Sequence, residues 1–149
     1  MKCLVINGPN LNLLGIREPS VYGHSTYQDL VESIQNVADA LNMEIEIFQS
    51  NHEGAMIDKI QSAYKIYDGI IINPAAYTHT SIALLDALKA VNLPSIEVHL
   101  SDISQRETFR KISYVSLACL KTFSGEGFLS YQKAIEHLYA YLKKEGSNP

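Results

Sequence analysis

The chain has 149 residues, of which 46% are hydrophobic and 19% charged, and its net charge is −4. That length suits one domain with a sizeable core, and the composition excludes a disordered or fibrous protein. No Lys/Arg cluster exceeds a pair such as Lys143-Lys144, which argues against a nucleic-acid or membrane-surface partner.

Cys3 and Cys119 fall in apolar, strand-like runs without metal-type spacing. They read as buried thiols of a reducing compartment. The first apolar stretch, "CLVI", is too short for a signal-peptide core, and no run approaches a membrane span. A cytoplasmic location is expected.

Strand-like and helix-like segments alternate from the first residue onward. "KCLVIN" (2–7) is the first strand. Helix one covers 25–42: Ser25 and Gln28 form a candidate capping box, then Tyr27, Leu30, Val31, Ile34, Ala38 and Leu41 recur at helical spacing. "MEIEIFQ" (43–49) alternates apolar and acidic residues, as a half-exposed strand does. Helix two spans 54–65, strand three is "GIIIN" (69–73), and helix three spans 80–91 with Thr78 as a candidate cap. Strand four is 94–100, strand five 114–121, and a last helix covers 129–144, leaving a frayed tail from about 145 to 149. No linker divides residues 1–149.

Strands one and three are apolar throughout and belong in the middle of a sheet covered on both faces, whereas the alternating strand two suits an edge. The expected fold is α/β: three layers, flavodoxin-like, with a five-stranded parallel sheet in the order 2-1-3-4-5. Ligands of such sheets bind beyond the carboxyl ends of the strands. The unusual polar residues fall at those ends. Asn7, Asn10, Asn12, Arg17 and Tyr22 follow strand one, Asn73, Thr78 and His79 follow strand three, and Glu97, His99, Ser101 and Asp102 close strand four.

A nucleotide site fits poorly. The first loop lacks both G-x-G-x-x-G and G-x-x-x-x-G-K-[ST], and Pro9 removes an amide donor. A phosphate-accepting signalling domain needs acidic residues where Asn7 and Asn73 stand. A metal site of His79, His99 and Glu97 lacks His-x-x-x-His or cysteine spacing.

Glu97 and His99 are two apart on a strand and share one side of the sheet. A carboxylate beside an imidazole fixes its tautomer for general acid or base work, although a structurally satisfied His at a strand end has the same spacing. The loop "NGPNLNLLGIREPSVYG" holds three Asn, three Gly and two Pro, yet also Arg17 and Tyr22. A free Tyr has a pKa of about 10, and lowering it by ~3 units takes roughly 4 kcal/mol. One cation at ~4 Å in an effective dielectric of ~20 supplies about that much. Arg17 is placed to be that cation if the Leu residues pin the near half of the loop and "GIREPSVYG" forms a cover between Gly15 and Gly23. A solvated Arg and an exposed loop Tyr fit the same letters equally well. Asn73 before Pro74 also fits a turn, Asp86 a solvated helix face, Arg110 a surface, and Lys121 alone says little about imine chemistry.

Taken together, "NGPNLNLLGIREPSVYG", "NPAAYTHTSIALLDAL", "IEVHLSDI" and "RETFRKISY" resemble the type II 3-dehydroquinate dehydratases in order and spacing, from strand one to about Tyr131. The resemblance implies loss of water from 3-dehydroquinate to give 3-dehydroshikimate, with neither metal nor cofactor, in a homododecamer built from trimers. It implies that Tyr22 is the base removing a proton alpha to the ketone, with Arg17 holding it as phenolate. Asn10 anchors a water at the enolate oxygen, and His99, oriented by Glu97, protonates the departing hydroxyl. Asn73, His79 and Arg110 bind ring hydroxyls, the amides around Leu100 and Ser101 take the carboxylate, and Asp86 reaches a neighbouring subunit's site. Leu85, Asp102, Ile112, Leu120 and Lys121 depart from residues frequent at these positions of the family. A nucleotide-binding or signalling module on the same sheet, or a catalytically idle scaffold, are the competing functions.

Overall fold

Continuous apolar runs can be buried on both faces only if helices cover both sides of the sheet, and the chain folds that way. A computed structural model describes residues 1–16, 20 and 24–147; Arg17 and Tyr22 lie outside the described residues. Strands β1 (Lys2–Asn7), β2 (Glu44–Gln49), β3 (Gly69–Asn73), β4 (Ser95–Val98) and β5 (Lys121–Phe123) pair in parallel in the order β2-β1-β3-β4-β5. The apolar β1 and β3 are central and the alternating β2 is an edge, as their patterns require.

Helices α1 (Tyr27–Ala40) and α4 (Phe128–Gly146) cover one face; α2 (Glu53–Ser62) and α3 (Ile82–Val91) cover the other. Strand alternation divides the core accordingly. Cys3, Val5, Ile71, Ile96 and Val98 pack against Leu30, Ile34, Ala38, Ala134, Ile135 and Leu138. Leu4, Ile6, Ile70 and Ile72 pack against Met56, Ile60, Leu84 and Leu88. Among the described residues no helix is long and apolar enough to cross a membrane.

Several local expectations need correction. The capping box of α1 is Thr26 with Asp29, one residue later than Ser25 and Gln28: Asp29 N–H donates to Thr26 Oγ1 at 3.1 Å, and Thr26 N–H donates to the Asp29 carboxylate at 2.9 Å. An acidic side chain there also suits the helix N-terminus, worth about 1 kcal/mol in all. Helix α3 is capped by Ser81, whose Oγ accepts Leu84 N–H at 3.0 Å, not by Thr78. Helix α2 stops at Ser62 rather than 65, because Lys65 turns to φ 62° to feed β3. Helix α4 continues to Gly146, two residues into the expected tail.

The largest departure is strand five. Of 114–121, only Lys121 is in β5; Val115–Ala118 forms a 3-10 helix that buries Val115 and exposes Leu117. Cys119 therefore follows a helical turn instead of lying in a strand. Burial pushes both thiols, Cys3 and Cys119, up to about 12, which leaves them protonated and unreactive.

The first loop is fastened where β1 meets β3. Gly8 N–H donates to Asn73 O at 2.8 Å, and a Cβ on Gly8 would sit 2.5 Å from Pro74 O. Neither backbone can yield without breaking the β1–β3 junction. Gly8→Ala is therefore expected to destabilise the fold by about 3 kcal/mol, measured by urea denaturation; a loss under about 1 kcal/mol would show that the junction relaxes. Beyond it, Leu11 and Leu14 are buried while Leu13 is 38% exposed, so two of the three leucines pin the loop.

Candidate active site

The carboxyl ends of β1, β3 and β4 open onto one cleft. Asn10, Asn73, His79, His99, Leu100, Ser101 and Arg110 all line it, although they come from three separate loops. Asp86 does not line it; it is exposed on α3.

Asn73 reaches the cleft from a largely buried amide–phenol network. Tyr131 Oη donates to Asn7 Oδ1 at 2.7 Å and accepts from Asn73 Nδ2 at 2.9 Å, while Asn7 Nδ2 donates to Tyr27 Oη at 3.3 Å. Burial raises the pKa of both phenols, so each keeps the proton that the network needs. Asn73 Oδ1 accepts Ala75 N–H at 3.1 Å. The Asn73 amide is thus held in one orientation, with an N–H left to donate into the cleft. Ala75 itself adopts φ 52°, a left-handed conformation that a Cβ-bearing residue keeps only when its surroundings impose it.

Asn10 is likewise left-handed, at φ 69°. Its N–H donates to Asn51 Oδ1 at 3.0 Å. Gln49 Nε2 ties the same loop down through Gly8 O at 3.1 Å and Asn12 Oδ1 at 3.3 Å. The Asn10 side chain is exposed at the rim. Asp102 is not part of the cleft; it caps the short turn Ile103–Gln105, accepting from Ser104 N–H at 2.9 Å and Ser104 Oγ at 2.6 Å.

His99, 5% exposed, stands just past β4 with its Nε2 against the Glu97 carboxylate, and Glu97 is wholly buried. The strand-end spacing thus does bring the imidazole and the carboxylate together. Glu97 also accepts from Ser113 Oγ and Thr122 Oγ1. His79 is oriented by the Ile112 carbonyl, 2.7 Å from Nδ1. A carbonyl only accepts, so Nδ1 carries the hydrogen and Nε2 of the neutral ring is an acceptor. Arg110 and Arg106 also line the cleft. Arg110 pairs with Glu107 at 2.9 Å, and Arg106 Nη1 donates to Ser101 Oγ at 3.3 Å. Among the described residues the Leu100 and Ser101 amides have no acceptor.

The His79 pKa is lowered, chiefly by burial, with the Ile112 carbonyl opposing and the nearby His99 and Arg110 reinforcing. The unfolded ring, at its ordinary 6.5, therefore binds more protons than the folded one between the two values. The stability due to the neutral ring is complete above about pH 6.5 and is lost as pH falls toward the folded value. Wild-type protein should lose more melting temperature than His79→Gln between about pH 7.5 and 5.5; equal losses would show that His79 does not titrate against folding.

Sequence reasoning missed Arg106, Ser113 and Thr122. The last two signal nothing by spacing, since both reach Glu97 from elements distant in the chain.

A family model described as dehydroquinase class II matches residues 1–139. The 3-dehydroquinate dehydratase of Caldicellulosiruptor bescii is 58% identical over 142 residues, covering 95% of this chain and 98% of the relative. That of Clostridium acetobutylicum is 49% identical over 144 residues, covering 97% and 100%. The crystal structure of the type II dehydroquinase from Butyrivibrio crossotus superimposes with a TM-score of 0.91 at 52% identity, covering 93% of this chain and 97% of that one. Fold and sequence agree, and the chain belongs to the class II dehydroquinase family.

Proposed function

We propose that the protein removes water from 3-dehydroquinate to give 3-dehydroshikimate by an anti elimination through an enolate, without metal or cofactor. The observation that carries this reading is the buried Glu97–His99 pair opening onto a cleft lined by Asn73, His79 and Arg110. A cyclic polyol carboxylate needs such a lining: donors and acceptors, Arg110 among them, for its hydroxyls, and nearby backbone amides for its carboxylate.

Tyr22, as phenolate beside Arg17, takes the proton alpha to the ketone, and the C–H electrons move onto the ketone oxygen. Asn10 at the rim holds a water that hydrogen-bonds the enolate oxygen, stabilising charge where it develops. The enolate then expels the beta hydroxyl, which takes the Nδ1 proton of the His99 imidazolium and departs as water, leaving the neutral ring with its hydrogen on Nε2 against Glu97. Glu97 keeps the imidazole oriented throughout. Asn73 donates to one ring hydroxyl, His79 Nε2 accepts from another, and Arg110 holds a third. The Leu100 and Ser101 amides, free among the described residues, receive the carboxylate.

Asp86 reaches the cleft of a neighbouring subunit in a homododecamer of trimers. Supporting this, Asp86 and Ile82 are both exposed one turn apart on α3, with Ile82 54% exposed, so both are accessible to a neighbouring subunit.

Purified protein incubated with 3-dehydroquinate should produce the ultraviolet absorbance of the conjugated enone, and chelator should not reduce the rate. A folded, oligomeric sample that forms no enone would end the proposal.

A further inference from the structure

We propose that Ser113 is a positioning residue for this reaction: its hydroxyl, with that of Thr122, fixes the Glu97 carboxylate so that His99 offers one defined ring nitrogen to the cleft. The inference rests on His99 as the acid and extends it to two groups that do not line the cleft.

Glu97 has 0% exposure, and a carboxylate removed from water must have its oxygens satisfied by donors. Among the described residues it has no Lys or Arg partner; its donors are His99 and two hydroxyls. Ser113 Oγ lies 2.8 Å from Oε1 and 2.9 Å from Oε2, bridging both oxygens. Thr122 Oγ1 lies 3.3 Å from Oε1. The two donors come from different elements. Ser113 leads into the turn Val115–Ala118, and Thr122 is the cross-strand partner of Glu97 on β5.

Ser113 has only one hydroxyl proton, and the local turn decides where it goes. Its Oγ accepts Ser116 N–H at 3.3 Å, while Ser116 Oγ donates to Ser113 O at 2.8 Å. With that side of the oxygen occupied, the proton is left for the carboxylate. A hydroxyl bridging both oxygens sets the plane of the carboxylate, which then accepts from His99 Nε2–H. Nδ1 is then the nitrogen that carries the second proton of the imidazolium and hands it to a hydroxyl in the cleft. Among the described residues the half-buried Cys119 thiol and His79 also sense Glu97.

The test is the tautomer of His99, read from its ring-nitrogen signals in protein labelled with ¹⁵N-histidine. The chain has five His, and His99→Gln identifies the signals concerned. With the ring neutral, wild type and Ser113→Thr should show the Nε2–H tautomer alone. Ser113→Ala should show both tautomers, with kcat lower by about tenfold and KM changed by less than about twofold. Thr122→Val keeps its volume and should move both readouts in the same direction by about threefold, given its longer bond; it carries the test if Ser113→Ala does not fold. Wild-type His99 signals in the variants would overturn the proposal even if turnover fell, because the hydroxyls would then act through packing. Mixed tautomers with undiminished kcat would leave the positioning of His99 in place and remove His99 from the chemistry instead.

Discussion

His99→Gln is expected to lower kcat by about a thousandfold, the range in which a positioned general acid works. Gln fills nearly the same volume and can still donate an amide N–H to Glu97, so the buried carboxylate keeps a partner and the fold is preserved. What disappears is a group able to give a proton to the departing hydroxyl. KM should change little, because His99 contributes mainly when the C–O bond breaks. Enone formation measured at saturating 3-dehydroquinate checks this, alongside a melting curve close to wild type. A variant that retains a tenth of wild-type turnover would exclude His99 as the acid.

Tyr22→Phe is expected to have an effect of similar size, about a thousandfold or more on kcat, because it removes the proposed base and leaves the hydroxyl-binding residues untouched. A phenol with an ordinary pKa of about 10 is a poor base near neutrality, and one guanidinium close by supplies roughly the 4 kcal/mol that makes it a good one. Arg17→Met should therefore reduce turnover while shifting the basic requirement to higher pH. Binding of the substrate to Tyr22→Phe, followed by calorimetry, should stay within about threefold of wild type. Near-normal turnover in Tyr22→Phe would move the proton abstraction to another residue.

The sheet order was legible in the sequence because burial on two faces writes a direct signature. β1 and β3 are continuously apolar, while β2 alternates Glu44, Ile45, Glu46 and Ile47 and sits at the edge. The convergence of Asn10, Asn73, His79 and His99 followed from that order, since all four stand at strand carboxyl ends. Strand five was not legible. "YVSLACLK" is as apolar as a strand, yet Ser113 and Ser116 hydrogen-bond the local backbone and wind it into a 3-10 turn, the competition that short hydroxyl side chains offer to a ladder. Helix caps erred by a residue or more for a related reason. Ser25 and Thr26 are both good caps, as are Thr78 and Ser81, and tertiary entry angles choose between them. The supports of Glu97 could not be read at all, because Ser113 and Thr122 lie 16 and 25 residues away and meet it only through the fold.

The proposed mechanism requires the Tyr22 phenol and the His99 imidazole to act on one ring from opposite sides of one cleft. A crystal structure of the protein holding a stable, non-eliminating analogue of 3-dehydroquinate tests it directly. The predicted result places the analogue between Asn10 and Arg110, with the Tyr22 hydroxyl at the carbon next to the ketone and the His99 ring at the departing oxygen. An analogue bound there with Tyr22 outside the cleft would contradict it.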